Sequence, residues 1–135
     1  MKHKKKMIYW IVGLVVVASL IFGGNYLYRM QKYKTIVAAI EIAPVDLTQI
    51  SDGVYTGQFD AVLVGAKTKV TVKSNQITAV ELMEHKTELG AKAEKIVDSV
   101  VSQQSVQVDA VSGATNSSKV ILKSIEKALH SKVSE

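Results

Sequence analysis

Lys67-Thr-Lys-Val-Thr-Val-Lys-Ser-Asn-Gln-Ile-Thr-Ala-Val-Glu-Leu-Met83 decides the fold. From Lys67 to Lys73 the residues alternate, with Val70 and Val72 on one side and lysines among those on the other. A period of two is that of a strand with one face buried and one face in water. Ser74-Asn75 is a hairpin turn, and Ile77 to Met83 is the returning strand. The centre of the domain is therefore expected to be a half-buried antiparallel hairpin.

On the N-terminal side, Val54 to Val64 is rich in β-branched and aromatic residues and reads as a strand, with Gly57 and Gly65 at bulge or bend positions. Asp52-Gly53 is a turn signal, and Asp46-Leu-Thr-Gln49 fits one turn capped by the aspartate. On the C-terminal side, Ala93, Ile96, Val97, Val100 and Val101 recur at helical spacing and predict an amphipathic helix over 91–102. Ser105 to Val111 alternates at Val106 and Val108, which predicts a short strand. A second amphipathic helix is predicted over 117–130, with Val120, Ile121, Ile125, Ala128 and Leu129 as its apolar stripe. An antiparallel sheet with two helices makes a small α+β domain, placed at 46–135. A chain starting near Val45 is expected to fold by itself.

Ahead of that domain, Met7 to Gly24 is an uncharged apolar run, and Tyr26, Leu27 and Tyr28 extend it past Asn25. A helix rises about 1.5 Å per residue, so about 20 such residues cross a hydrocarbon core. Tyr9 and Trp10 at one end, and Tyr26 and Tyr28 at the other, stand where interfacial aromatics belong. The rest of the chain is too small to surround a helix that is apolar on every side. A cleaved signal peptide has a shorter apolar core and a small-x-small site, which Phe22 before Gly23-Gly24 does not supply.

The expected order is thus a basic cytoplasmic tip at 1–6, a transmembrane anchor at 7–28 and a juxtamembrane stalk at 29–45. Met30, Tyr33, Ile36, Val37 and Ile40 keep helical spacing through the stalk, and Pro44 is expected to end the helix. Lys2, Lys4, Lys5, Lys6 and the amino terminus outweigh Arg29, Lys32 and Lys34 beyond the span. That bias orients a single-pass protein of the cell membrane with its N-terminus in the cytoplasm and its domain outside.

Composition narrows the chemistry. At 135 residues, 47% apolar and 21% charged, the chain is no disordered tail. The lack of cysteine excludes disulfide scaffolds, thiolate zinc, iron–sulfur clusters, thiol nucleophiles and acylation at cysteine. The net charge of +5 is concentrated in the N-terminal lysines, since from Arg29 onward 13 basic less 12 acidic residues leave +1. A nucleic-acid face needs basic residues clustered on the folded domain, so no nucleic-acid partner is expected. His3, His85 and His130 have no metal-ligand spacing, no phosphate-binding glycine loop is present, and Ser112 has no recognisable triad partner. Neither a metal site nor catalysis by the protein's own side chains is expected.

The chemistry falls on Asp109-Ala-Val-Ser-Gly-Ala-Thr-Asn-Ser-Ser118, where a strand gives way to a helix. Two readings stay open. Thr115, Asn116 or Ser117 caps the helix while Gly113 serves a turn. Alternatively, free backbone N–H groups and the hydroxyls of Ser112, Thr115, Ser117 and Ser118 form an anion site, with Gly113 allowing close approach.

Asp109-Ala-Val-Ser112-Gly113-Ala114-Thr115 resembles the flavinylation motif of the FMN-binding domain family. That family includes the flavin-carrying C subunit of sodium-pumping NADH:quinone reductase, the G subunit of the Rnf complex and small extracytoplasmic electron carriers. Leu47-x-x-Ile50-x-Asp52-Gly53-x-Tyr55-x-Gly57 is similar to the family's opening strand, and Val70 to Val80 to its central pair. The resemblance implies FMN joined through its phosphate to the Thr115 hydroxyl by a separate, magnesium-dependent FAD:protein FMN transferase that releases AMP. Around it, Gly113 and Ala114 would keep the approach open, and Ser112 would help to bind the cofactor. Asp109 would either order the loop or be read by the transferase.

The family often carries His-x-Glu-Thr-Pro-Gly-Leu-Gly after the hairpin, packed near the flavin ring. Here the chain reads His85-Lys-Thr87-Glu88-Leu89-Gly90, without the Pro-Gly element. His85 is either a flavin contact or a solvated loop residue, and Tyr55 either stacks on the ring or belongs to the core. Glu84 and Glu88 either pair with Lys86 or face water. The function implied is a membrane-anchored, extracytoplasmic electron carrier rather than an enzyme, with a membrane dehydrogenase or quinone pool as its electron donor. Two others remain: a cofactor-free anchored binding or assembly module, and a flavin reductase acting on a soluble substrate.

Overall fold

The computed structural model describes residues 1–87 and 90–131, so the expectation for Glu88 lies outside the described residues. The first helix, α1 (Lys2–Ala38), carries the apolar run with its side chains open along the helix; Trp10 is 83% exposed and Phe22 75%. It is long and apolar enough to cross a membrane. As expected, the helix continues past the apolar run, but it ends at Ala38, short of Pro44. The reason is tertiary. Three side chains claim the backbone beyond it: Lys123 Nζ donates to Glu41 O (2.9 Å), Gln107 Nε2 donates to Ile42 O (3.0 Å), and the Ala43 N–H donates to Glu126 Oε2 (3.2 Å). Val37 is buried, and Tyr33, Ile36, Ile40, Ile42 and Val45 pack against the core.

The stalk's C-terminal half therefore belongs to the packed body. A single buried aliphatic side chain is worth about 1.5–3 kcal/mol. A chain starting at Lys32 is expected to melt cooperatively, and one starting at Val45 to be several kcal/mol weaker or molten. Thermal unfolding followed by circular dichroism compares them; equal melting temperatures would mean that this packing contributes nothing.

A 3-10 turn at Leu47–Gln49 follows, and Asp46 caps it by accepting from the Thr48 N–H (3.0 Å) and hydroxyl (2.6 Å). These bonds hold the Asp46 carboxyl below its ordinary value. The sheet is three antiparallel strands in the order β1 (Gly53–Asp60), β2 (Gly65–Lys73), β3 (Gln76–Lys86). Ser74 and Asn75 turn the β2–β3 hairpin with φ of 52° and 59°. That is the geometry of a tight turn matched to strand twist.

Three expectations need correction. Val54 to Val64 is not one strand: β1 stops at Asp60, and residues 61–64 form a turn. Gly57 is not a bulge, since it pairs regularly with Thr68. A Cβ there would overlap backbone atoms of Ser124 and Ala128, so its bareness lets a helix lie directly on β1. Ser105 to Val111 forms no strand. Its alternation reports burial, with Val106 buried and Val108 and Val111 packed on the core, but no ladder. Part of the β3 edge is already taken: Gln104 accepts from the Ile77 N–H (2.7 Å) and donates to Ile77 O (2.8 Å).

The bulges lie instead on β3, where Thr78 and Met83 have no partner on β2. Each adds one residue, so the positions turned inward run Ile77, Val80, Leu82, His85. The expected helix over 91–102 is a 3-10 turn (Ala91–Lys95) leading into α2 (Ile96–Gln103), closed by Gln104 at φ 51°. The last helix, α3 (Thr115–His130), starts two residues earlier than expected and buries the whole predicted stripe against β1 and β2. At their contact the buried hydroxyls of Thr68 and Ser124 lie 3.1 Å apart, and Ser124 also donates to Ile121 O (2.7 Å).

Candidate functional site

The segment entering α3 orders itself. The Ala114 N–H donates to Val111 O (3.0 Å), closing a turn in which Gly113 has φ 79°. That conformation favours glycine, and no atom stands within 4 Å of where a Cβ would be. Ser118, fully buried, ties the turn to the helix: it accepts from the Val111 N–H (3.0 Å) and donates to Ala114 O (2.8 Å). Ser118→Ala is expected to cost about 1 kcal/mol, because it leaves the part-buried Val111 N–H without its acceptor. A urea-unfolding midpoint unchanged from wild type would contradict that role.

The ordinary capping reading is overturned. Ala114 holds the cap position, and no side chain caps α3. The first N–H groups of the helix are thus left to solvent or a ligand, with the positive end of the helix dipole behind them. Thr115 is the first helical residue; its side chain is exposed and, among the described residues, makes no hydrogen bond. Among the described residues, no group of three or more His, Asp or Glu could hold a metal ion.

A cavity of about 350 Å³ opens over this helix start. Gly113, Ala114, Thr115, Asn116 and Ser117 line one side, Thr87 and Gly90 a second, Leu63 and Val64 a third, and Met30 and Tyr33 of α1 the last. The 61–64 turn is set by Asp60, which accepts from the Val62 N–H (2.7 Å) and pairs with Lys86 Nζ (2.8 Å). That lysine holds the Asp60 carboxyl below its ordinary value. Its folded pKa being lowered, the pair adds stability above the ordinary carboxylate range and loses it as pH falls below. The Thr87 hydroxyl accepts from the Gly90 N–H (2.7 Å) and lies 3.3 Å from Ser117 Oγ. A Cβ on Gly90 would strike both hydroxyl-bearing side chains. Thus the loop that lacks Pro-Gly still closes on α3, through Thr87.

The expected site residues divide. Gly113, Ala114 and Thr115 share the cavity. Ser112 and Asp109 are exposed beside it, and Asp109 makes no hydrogen bond among the described residues; Ser118 does the ordering. Tyr55 is a core residue, 3% exposed, whose hydroxyl donates to Ser51 O (2.7 Å). His85 is no loop residue: it lies in β3, one residue before its end, with its side chain 3% exposed and Nδ1 3.0 Å from Glu94 Oε1. Its buried Nε2 has no partner among the described residues. Lys86 pairs with Asp60 rather than Glu84. Met30, Tyr33, Leu63, Val64, Thr87 and Gly90 were missed as site residues. Only Thr87 and Gly90, inside the loop already singled out, carried a signal in sequence.

A small α+β domain behind an apolar helix, with an uncapped helix start facing a cavity, is an arrangement that can take an anionic ligand of cofactor size. Residues 65–130 match the family model of the FMN-binding domain, which bears out the resemblance carried by the motif. No curated protein matches the chain. The cavity suits FMN by its division of chemistry. Hydroxyls and free N–H groups at the α3 end fit a phosphate, and Met30, Tyr33, Leu63 and Val64 offer apolar surface to a flat ring. An FMN-binding domain behind a helix able to span a membrane supports a membrane-anchored FMN-binding protein.

Proposed function

We propose that the protein is an extracytoplasmic electron carrier, fixed to the cell membrane by α1, with FMN joined by a phosphoester to Thr115. The observation that carries this reading is the exposed Thr115 hydroxyl at the uncapped start of α3, facing the cavity. In the modification, Thr115 Oγ1 bonds to the flavin-side phosphorus of FAD as the phosphoanhydride bond breaks. AMP leaves, and the hydroxyl proton passes to the transferase. The first N–H groups of α3 would solvate the remaining phosphate charge. Thr87, bridged to Ser117, would hold the loop against that end.

The bound flavin supplies the one- and two-electron chemistry, and the protein holds and tunes it. The electron donor would be a membrane dehydrogenase or the quinone pool. The protein would not be a catalyst in its own right. Coexpression with an FAD:protein FMN transferase, followed by intact-mass measurement of the denatured chain, tests the reading. One added FMN phosphoester is the expected result. An unmodified chain beside an active transferase would leave the cofactor-free binding module as the better account.

A further inference from the structure

Along α1 the large apolar side chains are exposed as far as Tyr28; beyond it Met30 and Tyr33 are partly buried and line the cavity, and Tyr33 packs against the core. The lysine–glutamate latch on α3 fastens the chain just beyond them: Lys123 and Glu126 pair at 2.9 Å and together hold Glu41 O and the Ala43 N–H. Glu126 is nearly enclosed, with 8% of its side chain exposed, so the latch is not a loose surface pair. We propose that the anchor helix itself completes the flavin site, with Tyr33 against the ring and Met30 beside it. This rests on the flavin-carrier reading above.

Two consequences follow from the geometry. Tyr33 lies five residues beyond Tyr28, the last residue of the apolar run, which is about 8 Å along a helix. The ring would then sit at the level of the lipid headgroups, at a fixed height rather than on a swinging tether. Among the described residues, Tyr33 is also the only phenol that lines the cavity.

A phenol in contact with a photoexcited flavin donates an electron to it and quenches its fluorescence; a phenyl ring does not. The test uses the full-length chain in detergent, covalently loaded by coexpression with the transferase. Tyr33→Phe, which keeps the packing, is expected to raise the fluorescence yield and lifetime of the attached flavin several-fold. Met30→Trp is expected to lower them further. Tyr28→Phe, whose ring is exposed on the helix, is expected to change neither. Attached flavin that fluoresces alike in wild type, Tyr33→Phe and Tyr28→Phe would overturn the wall and leave the carrier reading intact. A wild-type chain with no covalent flavin would overturn the carrier reading and the wall together.

Discussion

Thr115→Val abolishes covalent flavin and leaves the fold unchanged: that is the largest effect expected of any single substitution. Valine matches threonine in size and nearly in helix propensity, so the first turn of α3 keeps its shape. The position is exposed, and surface substitutions away from special features stay within about 0.5 kcal/mol. What valine lacks is the oxygen that, in the proposed attachment, bonds to phosphorus. The denatured chain should show no flavin fluorescence on a gel, while its melting temperature stays that of the unloaded wild type. Thr115→Ser keeps the oxygen and should keep part of the signal. Ser112, Ser117 and Ser118 stand nearby as rival hydroxyls. Ser118 is already committed to Val111 and Ala114, and Ser117 is buried beside Thr87. Covalent flavin persisting in Thr115→Val would move the attachment to Ser112, the remaining exposed hydroxyl of the motif.

Gly57→Ala should be the most damaging small change to stability. It adds one carbon, and that carbon would overlap the Ser124 carbonyl and the Ala128 backbone. Side chains can rotate out of a clash; the backbone of a helix packed on a sheet cannot. Overpacking costs about 1–3 kcal/mol and sometimes more, and a backbone conflict belongs at the upper end. A domain of this size has about 5–15 kcal/mol in all. With roughly 4–8 °C lost per kcal/mol, a loss of about 3 kcal/mol lowers the melting temperature by roughly 12 °C or more. Because α3 must shift, its N-terminus and the cavity should shift too, so the yield of flavinylated chain should fall with it. A melting temperature within a degree of wild type would mean that α3 does not lie so close to β1.

Where the backbone pattern is periodic and local, it was legible. The alternation around Val70 and Val72 marked β2, Ser74-Asn75 marked the hairpin turn, and the stripe from Val120 to Leu129 marked the buried face of α3. The motif from Asp109 to Thr115 pointed to the start of that helix as the place of the chemistry, and the cavity opens there. Alternation alone does not make a ladder, however. Val106 and Val108 alternate because one side faces the core, while their backbone never pairs with a strand. Glycine is ambiguous in the same way: Gly57 reads as a bulge in sequence and serves as a contact surface in space.

The sequence by itself determined the apolar helix, the antiparallel β2–β3 hairpin, the two amphipathic stretches and the threonine at the motif's end. Each depends on neighbours within about one or two turns or strand residues, so the chain carries its own record of it. The tertiary structure alone decided that Ala114 takes the cap position, that Ser118 rather than Asp109 ties the motif turn, and that α1 stops at Ala38. It alone brought Met30 and Tyr33 into the same cavity as Thr115. The contacts that bring the end of α1 and the chain beyond it onto α3 join residues some 80 positions apart, such as Ala43 with Glu126. Their partners are chosen by which faces the packed sheet and helix leave open, and no local period encodes that choice.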